Sequence, residues 1–156
     1  MKRQKITIGS ILEISIENSY YVYAQILGKA SYVFFNLKSS EKLINLEILK
    51  NAKILFINAV YNDVVNSGRW LKVGKISIRE DLKTFPLKFI HWPHDKIKWG
   101  IYDPNTGEIR NSTKEECKGL EVAAVYEAEH IEERLSDYFA GRINLDRQKD
   151  LDVFND

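Results

Sequence analysis

Apolar and polar side chains alternate from residue 12 onward: Leu12, Ile14 and Ile16 against Glu13, Ser15 and Glu17. A period of two is that of a half-buried antiparallel strand. Asn18-Ser19 is a turn, and residues 20–27 form a second strand closed by Gly28. A third follows at 31–37, and the short link Gly28-Lys29-Ala30 makes the pair a hairpin. Ser39-Ser40 predicts the cap of a short helix running to about Lys50. Residues 52–61 are apolar on both faces, as in a central strand, and residues 62–68 read as a helical turn ended by Gly68. Residues 70–73 are a short strand, and Pro86 and Pro93 mark an irregular stretch. Two short strands, 98–102 and 108–111, flank the turn Asp103-Pro-Asn-Thr-Gly107. Thr113-Lys-Glu-Glu116 has capping-box spacing for a helix ending at Gly119.

The period then changes from 2 to 3.6. Residues 120–126 predict one apolar strand that runs into a helix over about 127–140. Ala128, Ile131, Leu135, Tyr138 and Phe139 make a single apolar stripe on that helix, and Gly141 ends it. Glu129, Glu133 and Asp137, spaced by four, stack like charges along the other side. Each such pair costs a few tenths of a kcal/mol. Because the stripe is kept despite that cost, the expectation is that it is offered to a basic partner.

Together these elements predict an α+β fold: a curved, mostly antiparallel sheet, open or closing partly into a barrel, with a C-terminal amphipathic helix packed on it. The expected organisation is one domain over residues 1–141 and a polar, weakly ordered tail over 142–156.

Charge sharpens the picture. The net charge of the 156 residues is +1, but residues 1–112 hold 17 basic against 10 acidic side chains and residues 113–140 hold 3 against 8. Such asymmetry steers association more than it stabilises a fold. No apolar run approaches a membrane span, and the basic start of the chain, Met1-Lys-Arg-Gln-Lys5, has no apolar core behind it to make a signal peptide. The single cysteine, Cys117, has no internal disulfide partner, and the expected compartment is the cytoplasm.

Reaction chemistry is not legible. His91-Trp-Pro-His94 has a metal-like spacing, but Pro93 breaks the helix it needs and no carboxylate or cysteine cluster completes it. Cys117 lies beside Glu115 and Glu116, which oppose a thiolate. Neighbouring glutamates on a helix diverge by about 100° and do not converge on one substrate atom. The glycines stand singly, with no phosphate-binding loop. We therefore expect no catalytic residue, no metal and no cofactor. Two binding readings remain. Arg69-Trp70, after the turn at Gly68, are residue types that dominate binding hot spots, although a Trp there is as often a core plug. The rings of Tyr20, Tyr21, Tyr23, Tyr32, Phe34 and Phe35, in the basic part of the chain, suit a small nucleic-acid-binding β-barrel, the alternative function.

Two stretches carry a resemblance. Residues 52–76, AKILFINAVYNDVVNSGRWLKVGKI, join a buried strand, an Asp-containing turn, Gly-x-Trp and a following glycine. Residues 115–139, EECKGLEVAAVYEAEHIEERLSDYF, join Glu-Cys-x-Gly-Leu-Glu, an apolar strand and a His-x-Glu-x-Arg-Leu helix. With Ile8-Gly9 and the Tyr-rich hairpin ahead of them, they resemble the immunity protein 26 family of bacterial polymorphic-toxin systems over about residues 6–140. The resemblance implies a protein that binds and neutralises a partner toxin inside the bacterial cell that makes it, and it assigns no toxin-contacting residue. From the residues themselves, the expected contacts are Glu129, Glu133, Asp137, Arg69 and Trp70. The expected partner is a cognate toxin, basic as a nuclease is, and neither a membrane nor nucleic acid.

Overall fold

A computed structural model describes residues 2–155 of the chain. The residues up to Lys83 together with Val125–Ile143 form one compact unit, and Thr84–Ala124 with the residues from Asn144 on form a second.

The first unit is built on a six-stranded sheet. Its strands are β1 (Ser10–Ile16), β2 (Tyr20–Gly28), β3 (Ser31–Ser39), β4 (Ile54–Val60), β5 (Leu71–Lys75) and, further along the chain, β10 (Val125–Tyr126). Their order is β10-β4-β3-β2-β1-β5, and only the β10–β4 pair is parallel. Helix α1 (Asp63–Asn66) precedes β5, and helix α3 (Ala128–Ala140) follows β10. Leu12, Ile14, Ile16, Val22, Ala24, Ile26, Phe34 and Trp70 form the core with Ala128, Ile131 and Leu135 of α3. Phe139 of the predicted stripe packs at its margin, whereas Tyr138 is exposed. Neither sheet of the chain closes into a barrel, and the α+β expectation holds.

The opposite face of β1 and β2 departs from simple alternation. Glu13, expected to face solvent, is buried and accepts a hydrogen bond from the Tyr23 hydroxyl at 2.8 Å. That hydroxyl also accepts from the Leu43 backbone N–H at 2.9 Å, and Lys42 lies 3.8 Å from Glu13. Burial, followed by the neighbouring carboxylate, pushes the Tyr23 hydroxyl up to about 12. The loop after β3 thus covers this face. It also explains a misread helix: the Ser39 hydroxyl bonds the Glu41 carbonyl instead of capping, and only a 3-10 turn at Leu46–Asn51 forms, capped by Asn45.

The second unit holds β6 (Lys88–His91), β7 (Trp99–Tyr102), β8 (Ile109–Asn111) and β9 (Glu121–Val122) in the order β8-β7-β6-β9, with helices α2 (Lys114–Cys117) and α4 (Leu145–Asp152). Thr113 caps α2 as its spacing predicts, and the Asp103–Gly107 turn joins β7 to β8. Strand β6 was hidden between the two prolines. The expected single strand over 120–126 is instead two: β9 pairs with β6 and β10 pairs with β4. A bend at Ala123-Ala124 separates them, and an unbroken apolar run conceals such a break. After Gly141 the chain forms α4, capped by Asn144, and then a 3-10 turn whose Val153 and Phe154 pack on Phe89, Ile101 and Cys117. The Phe154 ring lies 4.9 Å from that of Phe89 and 5.0 Å from that of Trp99.

Two outcomes follow. Lys29 and Ala30, in the β2–β3 turn, adopt left-handed backbone angles of φ 51° and 60°. A residue with a Cβ is strained there and glycine is not, so Ala30→Gly should raise stability by about 0.5–1 kcal/mol despite the entropy of glycine. A denaturation midpoint unchanged or lowered would show the turn to be unstrained. Phe154→Ala should cost about 2 kcal/mol through lost aromatic packing, read in thermal unfolding followed by circular dichroism.

Candidate functional site

Residues 66–70 and helix α3 meet through one junction in the first unit. Gly68, at φ 83°, turns the chain so that Arg69 and Trp70 both reach α3. Trp70 has no exposed surface; its ring sits 5.6 Å from Phe34 and 6.3 Å from Tyr32. Its indole Nε1 donates to Glu132 Oε2 at 2.9 Å. Arg69 grips the same carboxylate with two bonds, Nε to Oε2 at 2.9 Å and Nη2 to Oε1 at 3.0 Å, and reaches Glu129 Oε1 with Nη1 at 2.6 Å. These two carboxylates hold the guanidinium charged more firmly than usual, the Glu132 hydrogen bonds most of all. Glu129 is held below the ordinary carboxylate range, first by a hydrogen bond from its own backbone N–H and then by Arg69.

The other end of α3 is tied as well. Gly141, left-handed at φ 73°, caps the helix and brings Arg142 back so that its Nε donates to Asp137 Oδ1 at 3.0 Å and its Nη2 to Ser136 Oγ at 3.1 Å. Ser136 in turn donates to Glu17 in the β1–β2 turn at 3.0 Å. Between that turn and α3 lies a notch of about 340 Å³ lined by Glu17, Glu132, Glu133, Asp137 and Arg142. Arg134 lies 3.8 Å over the Phe56 ring.

The five expected contacts therefore separate. Glu129 and Arg69 are paired with each other, and Asp137 is paired with Arg142. Trp70 is a core residue and offers a partner no surface. Glu133 is exposed, and no hydrogen bond or ion pair joins its carboxylate to another described residue. The acidic stripe is thus one-third open and two-thirds internally satisfied. Sequence reading missed Glu132 as the centre of the junction, Glu17 as an acidic wall of the notch, and Arg142 as its cation. The one available signal was a guanidinium and an indole adjacent in sequence after a glycine turn. The aromatic platform does not assemble either, because Tyr23, Tyr32, Phe34 and Phe35 are fully buried. Among the described residues no cluster of His, Cys, Asp and Glu has metal-binding geometry, and no helix is long and apolar enough to cross a membrane.

The model of the family described as Immunity protein 26 matches residues 7–99 of this chain. The chain belongs to that family. The matched span includes the Tyr-rich hairpin and residues 52–76, with Gly68, Arg69 and Trp70, and ends before the second stretch of the resemblance at 115–139. No curated protein and no solved structure matches the chain. Membership makes this an immunity protein and implies a toxin as its partner.

Glu132→Ala should cost about 2 kcal/mol, because it strands the buried indole N–H and leaves Arg69 only its bond to Glu129. Glu133→Ala should stay within about 0.5 kcal/mol, as an exposed unpaired residue does. Equal costs in urea denaturation would refute the junction. The lowered pKa of Glu129 also fixes a sign: the contribution of its ion pair is present above the ordinary carboxylate range and is lost as pH falls through the lower folded value. That acid-side loss should be smaller, but not abolished, in Arg69→Ala, because the hydrogen bond from the Glu129 backbone N–H remains.

Proposed function

We propose that this immunity protein binds a cognate toxin in the cytoplasm of the bacterial cell that makes it and neutralises it by protein–protein contact, without catalysis. The family match over residues 7–99 carries this reading. Support for a contact-based mechanism comes from the outward side of α3. There Glu133 stands uncompensated beside Glu17 and Asp137 at the notch. An exposed carboxylate of this kind contributes to electrostatic steering, and a basic toxin such as a nuclease is the partner whose charge it complements.

The structure chooses the variant that tests this. Glu129 and Asp137 both hold arginines of their own chain, so reversing either perturbs the helix as well as the surface. Glu133→Lys alters only the surface. With the cognate toxin domain, Glu133→Lys should slow association roughly fivefold at low salt and flatten its salt dependence, leaving dissociation nearly unchanged. Unaltered association kinetics would remove the acidic face from the mechanism and leave the immunity role in place. A toxin fully active with bound immunity protein would overturn neutralisation by contact.

A further inference from the structure

In the first unit, β5 ends the six-stranded sheet, so its outer side has no strand neighbour. The backbone groups on that side follow from the register. Lys72 stands opposite Leu12, but its N–H donates outward, to Gln4 Oε1 at 2.9 Å. In an antiparallel ladder the N–H and C=O of one residue point the same way, so the Lys72 carbonyl faces outward as well. The Ile76 N–H donates inward to the Gly9 carbonyl at 3.3 Å, which leaves the neighbouring Lys75 N–H facing out. Gln4 Nε2 donates to the Trp70 carbonyl at 2.8 Å. One side-chain amide thus makes the pair of bonds that a neighbouring strand would make, between Trp70 and Lys72. Among the described residues no side chain or loop backbone takes up the Lys72 carbonyl or the Lys75 N–H.

An aliphatic ledge flanks this edge. Leu71 stands opposite Glu13 and so shares the face that the loop after β3 covers. Leu46 of that loop lies on Gly74, where a Cβ would come within 2.5 Å of Leu46 Cδ1, and this approach ties the 3-10 turn to the strand. Ile44 and Ile48, on either side of Leu46 in the chain, are exposed, as are Leu71 and Val73. A gathering of exposed aliphatic residues marks a contact surface where scattered single ones do not. Charge then selects the occupant. Lys72 and Lys75 stand opposite Leu12 and Ser10, on the face away from the ledge. Lys72 Nζ meets only neutral acceptors, the Lys5 carbonyl at 2.8 Å and Thr7 Oγ1 at 3.0 Å. Among the described residues Lys75 has no carboxylate partner. Lysines, and a bulge such as the one in the β1–β5 register, keep an edge from pairing with its like. A second copy of this chain would set the same lysines against each other, whereas a strand of opposite charge would neutralise them.

We propose that the outer edge of β5 takes up a short extended segment of a partner polypeptide as a further strand of this sheet. Side chains of that segment alternate between aliphatic and acidic. The pleat requires it, since the aliphatic ledge lies on one face of the edge and the two lysines on the other. Gln4 fills the rung between Trp70 and Lys72, and the segment continues from there. The inference goes beyond the proposed function and does not rest on it, because the pairing chemistry belongs to the edge whichever polypeptide supplies the strand.

The test needs no toxin. The peptides acetyl-Val-Glu-Val-Glu-Val-amide and acetyl-Val-Lys-Val-Lys-Val-amide are titrated into the full-length protein under amide NMR detection. The acidic peptide should shift the amides of residues 71–75 in a saturable way, with the basic one roughly fivefold weaker or more. Hydrogen exchange at the Lys75 amide should slow several-fold in the saturated complex, a change that side-chain docking without strand pairing does not produce. Ile44→Ser, at a fully exposed position, should weaken the acidic peptide while leaving the rest of the amide spectrum in place. Lys75→Glu should reduce the preference for the acidic peptide. Equal binding of the two peptides, no saturable shift at residues 71–75, unchanged exchange at Lys75, or full affinity in Ile44→Ser would each overturn the proposal. None of these outcomes bears on whether the protein neutralises a toxin, and loss of the toxin-binding reading leaves the peptide result standing.

Discussion

A buried indole N–H must find an acceptor, and in this protein the acceptor is Glu132. Trp70 fills the space between the sheet and α3, and removing its ring from water is worth having only if Nε1 keeps a hydrogen bond. Glu132 supplies it, and a buried-edge carboxylate in turn needs a cation, which Arg69 provides from the adjacent position. That carboxylate ties the N-terminal half of α3 to the sheet, alongside the core packing of Ile131 and Leu135. Everything else on that helix inherits its direction: Ile131 and Leu135 go inward, Glu129 shares the arginine, and Glu133 is left facing out.

This arrangement explains why the acidic side of α3 is tolerated. Taken alone, three carboxylates spaced by four are a cost to the helix. Folding relieves that cost at two of the three positions with arginines from outside α3, Arg69 from more than fifty residues upstream and Arg142 from just beyond the cap. The part of the stripe that remains is small, and its charge stands clear of the packing.

Local patterns were legible in the sequence and distant pairings were not. The stripe of α3, its end at Gly141, the β2–β3 hairpin, the Asp103–Gly107 turn and the cap of α2 each depend on residues within a few positions of one another. Strand β6 was concealed by the prolines around it, because four residues between breakers show no period. The run 120–126 looked like one strand because apolar character does not reveal which sheet a residue joins. Glu13 looked solvent-facing because alternation cannot say that a later loop covers the second face. At the site, the cation that engages Glu129 and Glu132 is Arg69, some sixty residues upstream, too far along the chain for spacing to disclose it. Trp70 had an even chance of being plug or contact, and its complete burial decides for plug.

The division of 120–126 between two sheets has a consequence for how the chain folds. Unit one is interrupted between Lys83 and Val125, so docking β10 and α3 on β4 means closing a loop of roughly 40 residues, an entropic cost of about 3 kcal/mol for a flexible chain. The interruption is not flexible once its own sheet has formed. Parallel pairing of β6 with β9 sets Lys88 beside Glu121 and Phe89 beside Val122, which holds the two ends of the inserted segment side by side. Early formation of that pair shortens the effective loop to a few residues. The smaller sheet then acts as an internal clasp on the kinetics of the larger one, and a slow step in the folding of unit one can originate in residues that contribute nothing to its core.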